Sequence, residues 1–377
     1  MFNKIRKKVE EPEGTRKILI CRNDQDLERC RLQVIKVGGK VIKDLPLVKG
    51  ILCELPDVTT LNKLESAQVI TRIDDDITFY TLCWNWFKRT SKIAEKRPQS
   101  ISWGVRRIGA TDAWPISRGK QVRVAVIDTG VQLDHPDLVQ HLGKGYNAVK
   151  PTQNPNDGNG HGTHVAGIIA ATDNDFGVVG VAPEVRLFPV KVLDDSGSGT
   201  LSDVVSGIQW CMENDIDIIN MSLGAAEGND TFRQAINSAA DHGITIIAAA
   251  GNSGPGQNTI DYPAKYPETI AVAASDQGDK IANFSSRGPE VDITAPGVDI
   301  ESTYSTSAYT TLSGTSMAAP HVTGTVALLK GLKRDFSLAE IKSILKRSAY
   351  LLPSFSADLQ GVGLVQAGQA VNGYAGK

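Results

Sequence analysis

VRVAVIDTG (122–130), VRLFPVKVL (185–193), IDIINMSL (216–223), ITIIAAAG (244–251) and TIAVAAS (269–275) decide the fold. Each is a short, nearly continuous run of Val, Ile and Ala bounded by turn residues. Such runs mark strands buried on both faces. Helical patterns alternate with them, over Leu201 to Asn214, Asp230 to His242 and Thr315 to Lys330. Strands alternating with helices give a parallel, doubly wound α/β sheet. Functional groups in such sheets collect at the carboxyl ends of the strands.

Outward from this region the composition agrees. The 377 residues are 41% hydrophobic and 22% charged, enough to bury a large core. Formal net charge is −2, which speaks against a general nucleic-acid binder. The charge is unevenly placed: residues 1–97 carry +6 and residues 98–377 carry −8. No apolar stretch approaches the length needed to span a bilayer. The opening MFNKIRKKVEEPEG lacks the apolar centre of a signal peptide. A cytoplasmic location is therefore expected from the sequence as written, and a secreted one if a leader has been removed or export takes another route. Five cysteines, four of them before residue 98, do not suggest a disulfide framework.

Residues 1–15 read as a tail. Residues 16–82 read as a small α+β unit of order β-α-β-β-α-β, a ferredoxin-like plait. In it, Gly38-Gly39 stops the first helix, Lys49-Gly50 turns the middle strands, and Thr60 caps a short helix. VITRIDDDITFYTL closes it as one extended stretch. CWNWFKRTSKIAEKR (83–97) reads as a charged linker, and 98–377 as the main domain.

Chemistry-bearing residues sit around the predicted strand ends. Asp128 closes the first run. His161 lies in NGHGTHVAG, at the leading edge of a small-residue helix. His164 follows three residues later, but HEXXH spacing is absent, so the pair is not read as a metal site. Asn252 lies in the turn AAAGNSG, where its amide can donate to an oxyanion. Ser316 opens a helix in LSGTSMAAPHVTG, where backbone N–H groups favour negative charge. Taken singly, each residue has a commonplace reading as turn former, core residue or cap.

Together, VIDTG, GHGTHVAG, AAAGNSG and GTSMAAPHV, in that order, closely resemble the subtilisin family of serine endopeptidases over about residues 98–372. The resemblance implies a triad of Asp128, His161 and Ser316 and an oxyanion donor in Asn252. It implies substrate bound as an extended strand between SGSGT (196–200) and SLGAAEG (222–228). Gly224, Ala249 to Gly251 and Asp261 to Ala264 would line the primary pocket; Asp261 stands where the family often has a small residue, and its carboxylate would favour Lys or Arg before the cut, the alternative being that it turns into solvent and leaves a broad apolar preference. Leu201 and Leu223 would line the pocket for the fourth residue upstream. Calcium is implied at the loop TDNDFGVVGVAP (172–183), through Gln99, Asp137, Thr172, Asn174, Phe176 and Val178, with a weaker site near Ala264, Tyr266 and Asp292.

The unit before residue 83 resembles the family's inhibitory pro-domain. By that reading it passes residues near 83–97 through the cleft; alignment with the family places the mature start near Pro98, but a Pro directly after the cut restricts the residue before it, so cleavage at a basic residue upstream, such as Arg89, Lys92 or Lys96, or trimming in steps, is expected instead. The expected partners are protein or peptide substrates and the chain's own pro-domain, with a monomeric catalytic domain. A catalytically silent peptide-binding protein on the same fold is the alternative. A nucleotide-binding protein is disfavoured, because no G-x-G-x-x-G follows the first strand.

Overall fold

The computed structural model describes residues 15–57, 59–65, 68–83 and 97–376. The chain forms two compact units: Met1–Asp76 with Asn229–Ala235, and Ile77–Gly228 with Ile236–Lys377. The division falls at Asp76, not after Leu82. The stretch read as one extended segment is broken there.

The first unit contains β1 (Thr15–Cys21), α1 (Leu27–Lys36), β2 (Lys40–Leu45), β3 (Gly50–Leu55), α2 (Thr59–Glu65) and β4 (Ile70–Asp75). Its sheet has the order β2-β3-β1-β4, with antiparallel pairing throughout. Lys49 turns the β2–β3 connection in the left-handed region, φ 53°. The cap of α2 is Asp57, whose Oδ1 accepts from the Thr60 N–H at 2.9 Å; Thr60, expected to be the cap, is the residue being capped. Leu19, Val34, Ile51 and Leu55 form the buried core. Cys21 and Cys30 are joined as a disulfide, a pairing the cysteine count did not suggest.

The second unit starts with β5 (Thr78–Thr81). It continues with β6 (Arg123–Asp128), α3 (His161–Ala170), β7 (Arg186–Lys191), β8 (Ser198–Thr200) and α4 (Leu201–Glu213). Then come β9 (Ile218–Met221), β10 (Leu223–Gly224), β11 (Thr245–Ala249), β12 (Thr269–Ser275), β13 (Ile293–Pro296) and α5 (Thr315–Lys330). The main sheet runs β13-β12-β11-β9-β6-β7, with Tyr146–Asn147 on the far edge, and every pairing is parallel. Strand order reverses around β6, the first strand laid down, so the carboxyl end of β6 lies at the switch point where such sheets place their sites. β9, β11, β12 and β13 are buried at every position.

Helices α3 and α5 are buried along their whole length and pack on each other. This explains their small residues and their lack of a polar face. Among the described residues no helix is long and apolar enough to cross a membrane.

Candidate active site

Asp128 ends β6 fully buried. Its Oδ1 accepts from the Thr129 N–H and from His161 Nδ1, both at 2.7 Å. That bond fixes the His161 proton on Nδ1 and turns Nε2 outward. His161 begins α3, after Gly160. Asp157 sets this turn: its two oxygens accept from Thr129 Oγ1, Asn159 N, Gly160 N, Thr163 N and Thr163 Oγ1, at 2.6–3.0 Å. Asp157 thus ties the strand end to the helix start. Nothing in the sequence reading singled it out.

Ser316 is the second residue of α5, so its N–H has no partner within the helix. That N–H donates to the Leu82 carbonyl at 3.2 Å. The Ser316 hydroxyl accepts from the Leu82 N–H at 3.1 Å and donates to the Ser222 carbonyl at 2.8 Å. The Ser316 carbonyl would ordinarily accept from residue 320, but Pro320 has no N–H. Ser222 Oγ takes that place, donating to the Ser316 carbonyl at 2.9 Å. Ser222 went unremarked in the sequence, although it opens the SLGAAEG edge.

Asn252 Oδ1 accepts from Thr315 N and Thr315 Oγ1, both at 3.0 Å. Its amide nitrogen is thereby turned the other way. At Gly314 a Cβ would lie 2.4 Å from the Leu82 oxygen and 3.3 Å from Asn252 Nδ2. Only glycine allows this approach, which brings the Leu82 carbonyl, Asn252 Nδ2 and the Ser316 N–H to one place.

The two expected substrate edges hold a strand, and it belongs to this chain. β5 runs antiparallel between β8 and β10, pairing Phe79 with Gly199 and Tyr80 with both Ser198 and Gly224. The Leu201 N–H donates to the Ile77 carbonyl at 2.8 Å. Residues 77–83 therefore lie along these two edges; of the stretch 83–97 expected in the cleft, residues 84–96, with Arg89, Lys92 and Lys96, lie outside the described residues. Phe79 is fully buried, and Leu201 and Leu223 are too. Leu82 points at the expected primary pocket: a Cβ on Gly224 would meet Leu82 Cδ1 at 2.9 Å and Asp261 Cβ at 3.0 Å, and one on Gly251 would meet Asp261 Oδ2 at 2.6 Å.

His161 is buried, which by itself disfavours charge, but the Asp128 carboxylate on Nδ1 outweighs this and raises its pKa well above 6.5. His164 donates Nε2–H to the Thr310 carbonyl at 3.1 Å, and burial pushes its pKa down to about 3. It is a neutral core residue. His321 behaves alike, falling to about 4.

The loop at 172–178 folds around Asp137, which is fully buried. Asp137 accepts from Asn174 Nδ2, Val178 N and Tyr309 OH, all at 2.9 Å, and its backbone carbonyl accepts from Thr172. Gln99 Nε2 donates to the Thr172 carbonyl at 3.1 Å, and Phe176 N to Asn174 Oδ1 at 3.0 Å. All six expected ligand residues are thus gathered. Burial raises the Asp137 pKa against these three neutral donors. A buried carboxylate with neutral partners and oxygen-bearing neighbours suits calcium.

The weaker position near Ala264, Tyr266 and Asp292 differs from expectation. Lys342 Nζ lies 3.0 Å from the Asp292 carboxylate and 3.3 Å from the Pro267 carbonyl. A tethered ammonium holds the place read as a second ion site.

The sequence profile of the subtilase family matches residues 119–369. The chain belongs to the subtilase family. It is similar to subtilisin Savinase from Lederbergia lenta, 46% identical over 270 residues, covering 71% of this chain and 98% of that protein. A thermostable alkaline protease of Halalkalibacterium halodurans is 46% identical over 273 residues, covering 72% of this chain and 74% of that one. Subtilisin E from Bacillus subtilis is 40% identical over 323 residues, covering 84% and 80%. This subtilase is a serine endopeptidase, a hydrolase of peptide bonds.

Proposed function

We propose that this subtilase is a calcium-stabilised zymogen that cuts its own chain between Leu82 and Cys83. One observation carries the reading: β5 lies in the cleft as a substrate would, with the Leu82 carbonyl on the Ser316 N–H. Ser316 Oγ attacks the Leu82 carbonyl carbon, and its proton passes to His161 Nε2. Asp128 holds the His161 tautomer and stabilises the imidazolium. The oxyanion lies between the Ser316 N–H and the Asn252 amide. His161 then gives the proton to the Cys83 nitrogen as the peptide bond breaks, and water hydrolyses the ester on Ser316.

The 323-residue similarity to subtilisin E is longer than the segment 98–377, so it includes residues before that segment. This supports reading the first unit as a pro-domain that restrains its own enzyme. After the cut, Leu82 remains as a product in the primary pocket, and backbone pairing on both edges of β5 keeps the segment bound. The monomeric state of the catalytic domain is proposed with it.

Subsite roles follow the same strand. Leu82 lies against Gly224, so the pocket takes an apolar side chain, while Asp261, which lies against both Gly224 and Gly251, offers a longer Lys or Arg a partner. Leu201 and Leu223, which flank the Phe79 position, line the pocket for the fourth residue upstream. Gln99, Asp137, Thr172, Asn174, Phe176 and Val178 would hold calcium, which would neutralise the buried Asp137 charge and fasten the loop. Chelation should therefore lower the melting temperature, because the ion binds only the folded state. Neither fold nor relatives support the cytoplasmic placement, and export fits this family reading better.

The deciding experiment refolds the full chain and follows intact mass with time. Wild type should yield a fragment beginning at Cys83, and Ser316→Ala should fold and stay whole. Cleavage of purified Ser316→Ala, or a first cut in the linker, would refute the proposal.

A further inference from the structure

Helix α3 begins at His161 with no capping side chain just before it. Gly160 stands there, in the left-handed region at φ 104°. The first N–H groups of a helix have no partner within it and must be met from outside. The His161 N–H donates to Asn159 Oδ1 at 3.2 Å, the Gly162 N–H to Thr129 Oγ1 at 3.0 Å, and the Thr163 N–H to Asp157 Oδ2 at 3.0 Å. All three arrangements depend on Asp157, which is 4% exposed. It takes the third N–H itself. It holds Asn159 by that residue's N–H and Thr129 by its hydroxyl, both at 2.9 Å.

Thr129 carries the connection back to the catalytic carboxylate. Its N–H donates to Asp128 Oδ1 at 2.7 Å, and its carbonyl accepts from the buried Lys191 ammonium at 2.6 Å. Both bonds that Asp128 accepts, from Thr129 and from His161, fall on Oδ1; its Oδ2 has no hydrogen-bond partner among the described residues. The carboxylate therefore holds the imidazole at one point, about which the ring can pivot. The second point of hold is the His161 backbone at the start of α3. That start is pressed onto the end of β6: a Cβ on Gly162 would lie 2.0 Å from the Gly130 carbonyl oxygen and 3.1 Å from Asp128 Cβ.

We propose that Asp157 is a positioning residue of the triad: it locks the start of α3 to the end of β6 through Thr129, and so sets where His161 Nε2 points. It does not itself meet the reacting atoms. Its effect falls on proton transfer from Ser316, which demands near-ideal distance and alignment. None of the hydrogen bonds to Asp157 reaches β8 or β10, the edges along which β5 lies, so substrate binding is spared. The role applies to any substrate and does not depend on where the chain cuts itself.

The test refolds full-length wild type, Asp157→Asn and Thr129→Val, and measures peptide hydrolysis with active sites counted by fluorophosphonate titration. Asp157→Asn keeps the three bonds on Oδ1 and sets a donor against the Thr163 N–H. Its kcat per titrated site should fall about tenfold or more, with KM changed by less than about twofold. Thr129→Val cuts the same connection at its other end with a side chain of similar shape, and should show the same split. A variant that folds with a melting temperature near wild type but fails to process itself shows the same loss on its own chain. A merely structural role would lower the melting temperature and the titrated fraction and leave kcat per site unchanged. That result overturns the proposal, as does a rise in KM at constant kcat. Either variant decides the matter if the other fails to refold.

Discussion

Replacing Phe79 by Ala should release the pro-segment's hold on the cleft. Along β5 the side chains alternate: Phe79 is fully buried, while Tyr80 is 49% exposed. Both backbones lie in the ladder to β8, and Tyr80 also in the ladder to β10. The substitution removes a ring that goes from water to full burial when the strand docks, worth roughly 2–3 kcal/mol. That corresponds to about 30- to 150-fold in affinity at about 1.4 kcal/mol per tenfold. The assay adds segment 1–82 in trans to mature enzyme and measures the inhibition constant. Phe79→Ala should raise it by that factor. Tyr80→Ala, which keeps the backbone pairing and loses only an exposed ring, should change it a few-fold at most. Equal shifts for the two, or none for Phe79→Ala, would show that the strand is not held by its buried face.

The same assay should show inhibition weakening with added salt, since residues 1–97 carry +6 and residues 98–377 carry −8. Ser222→Ala should lower stability by about 1–3 kcal/mol, because it leaves unpaired the Ser316 carbonyl that Pro320 cannot serve; an unchanged urea midpoint would contradict this. Acid should unfold the protein through its core histidines. His164 and His321 have folded pKa values of about 3 and about 4, below the ordinary 6.5. The unfolded chain therefore takes up protons first, and stability complete above pH 6.5 is lost as pH falls below it. At pH 4 the loss for His321 alone is on the order of 3 kcal/mol. His321→Gln should flatten the pH dependence of the melting temperature below 6.5, and a parallel curve would refute the assignment.

What the sequence determined by itself was whatever rests on short-range pattern. Runs of Val, Ile and Ala such as TIAVAAS can be stable only when buried on both faces, so the parallel sheet was legible, and β12 spans the whole of that run. Asp128, His161, Asn252 and Ser316 were legible because the short motifs around them, VIDTG, GHGTHVAG, AAAGNSG and GTSMAAPHV, occur together in one order. The tertiary structure decided what depends on partners far along the chain. VITRIDDDITFYTL looks uniform, yet its first part pairs with Thr15–Cys21 and its last with strands more than 100 residues on, so the break at Asp76 had no local signal. Leu82 reaches Ser316 across 234 positions, and Lys342 reaches Asp292 across 50. The cut proposed at Leu82–Cys83, in place of the basic linker, rests on the same long-range contacts. Local charge marked the linker, but backbone pairing on both edges of β5 fixes which carbonyl meets Ser316.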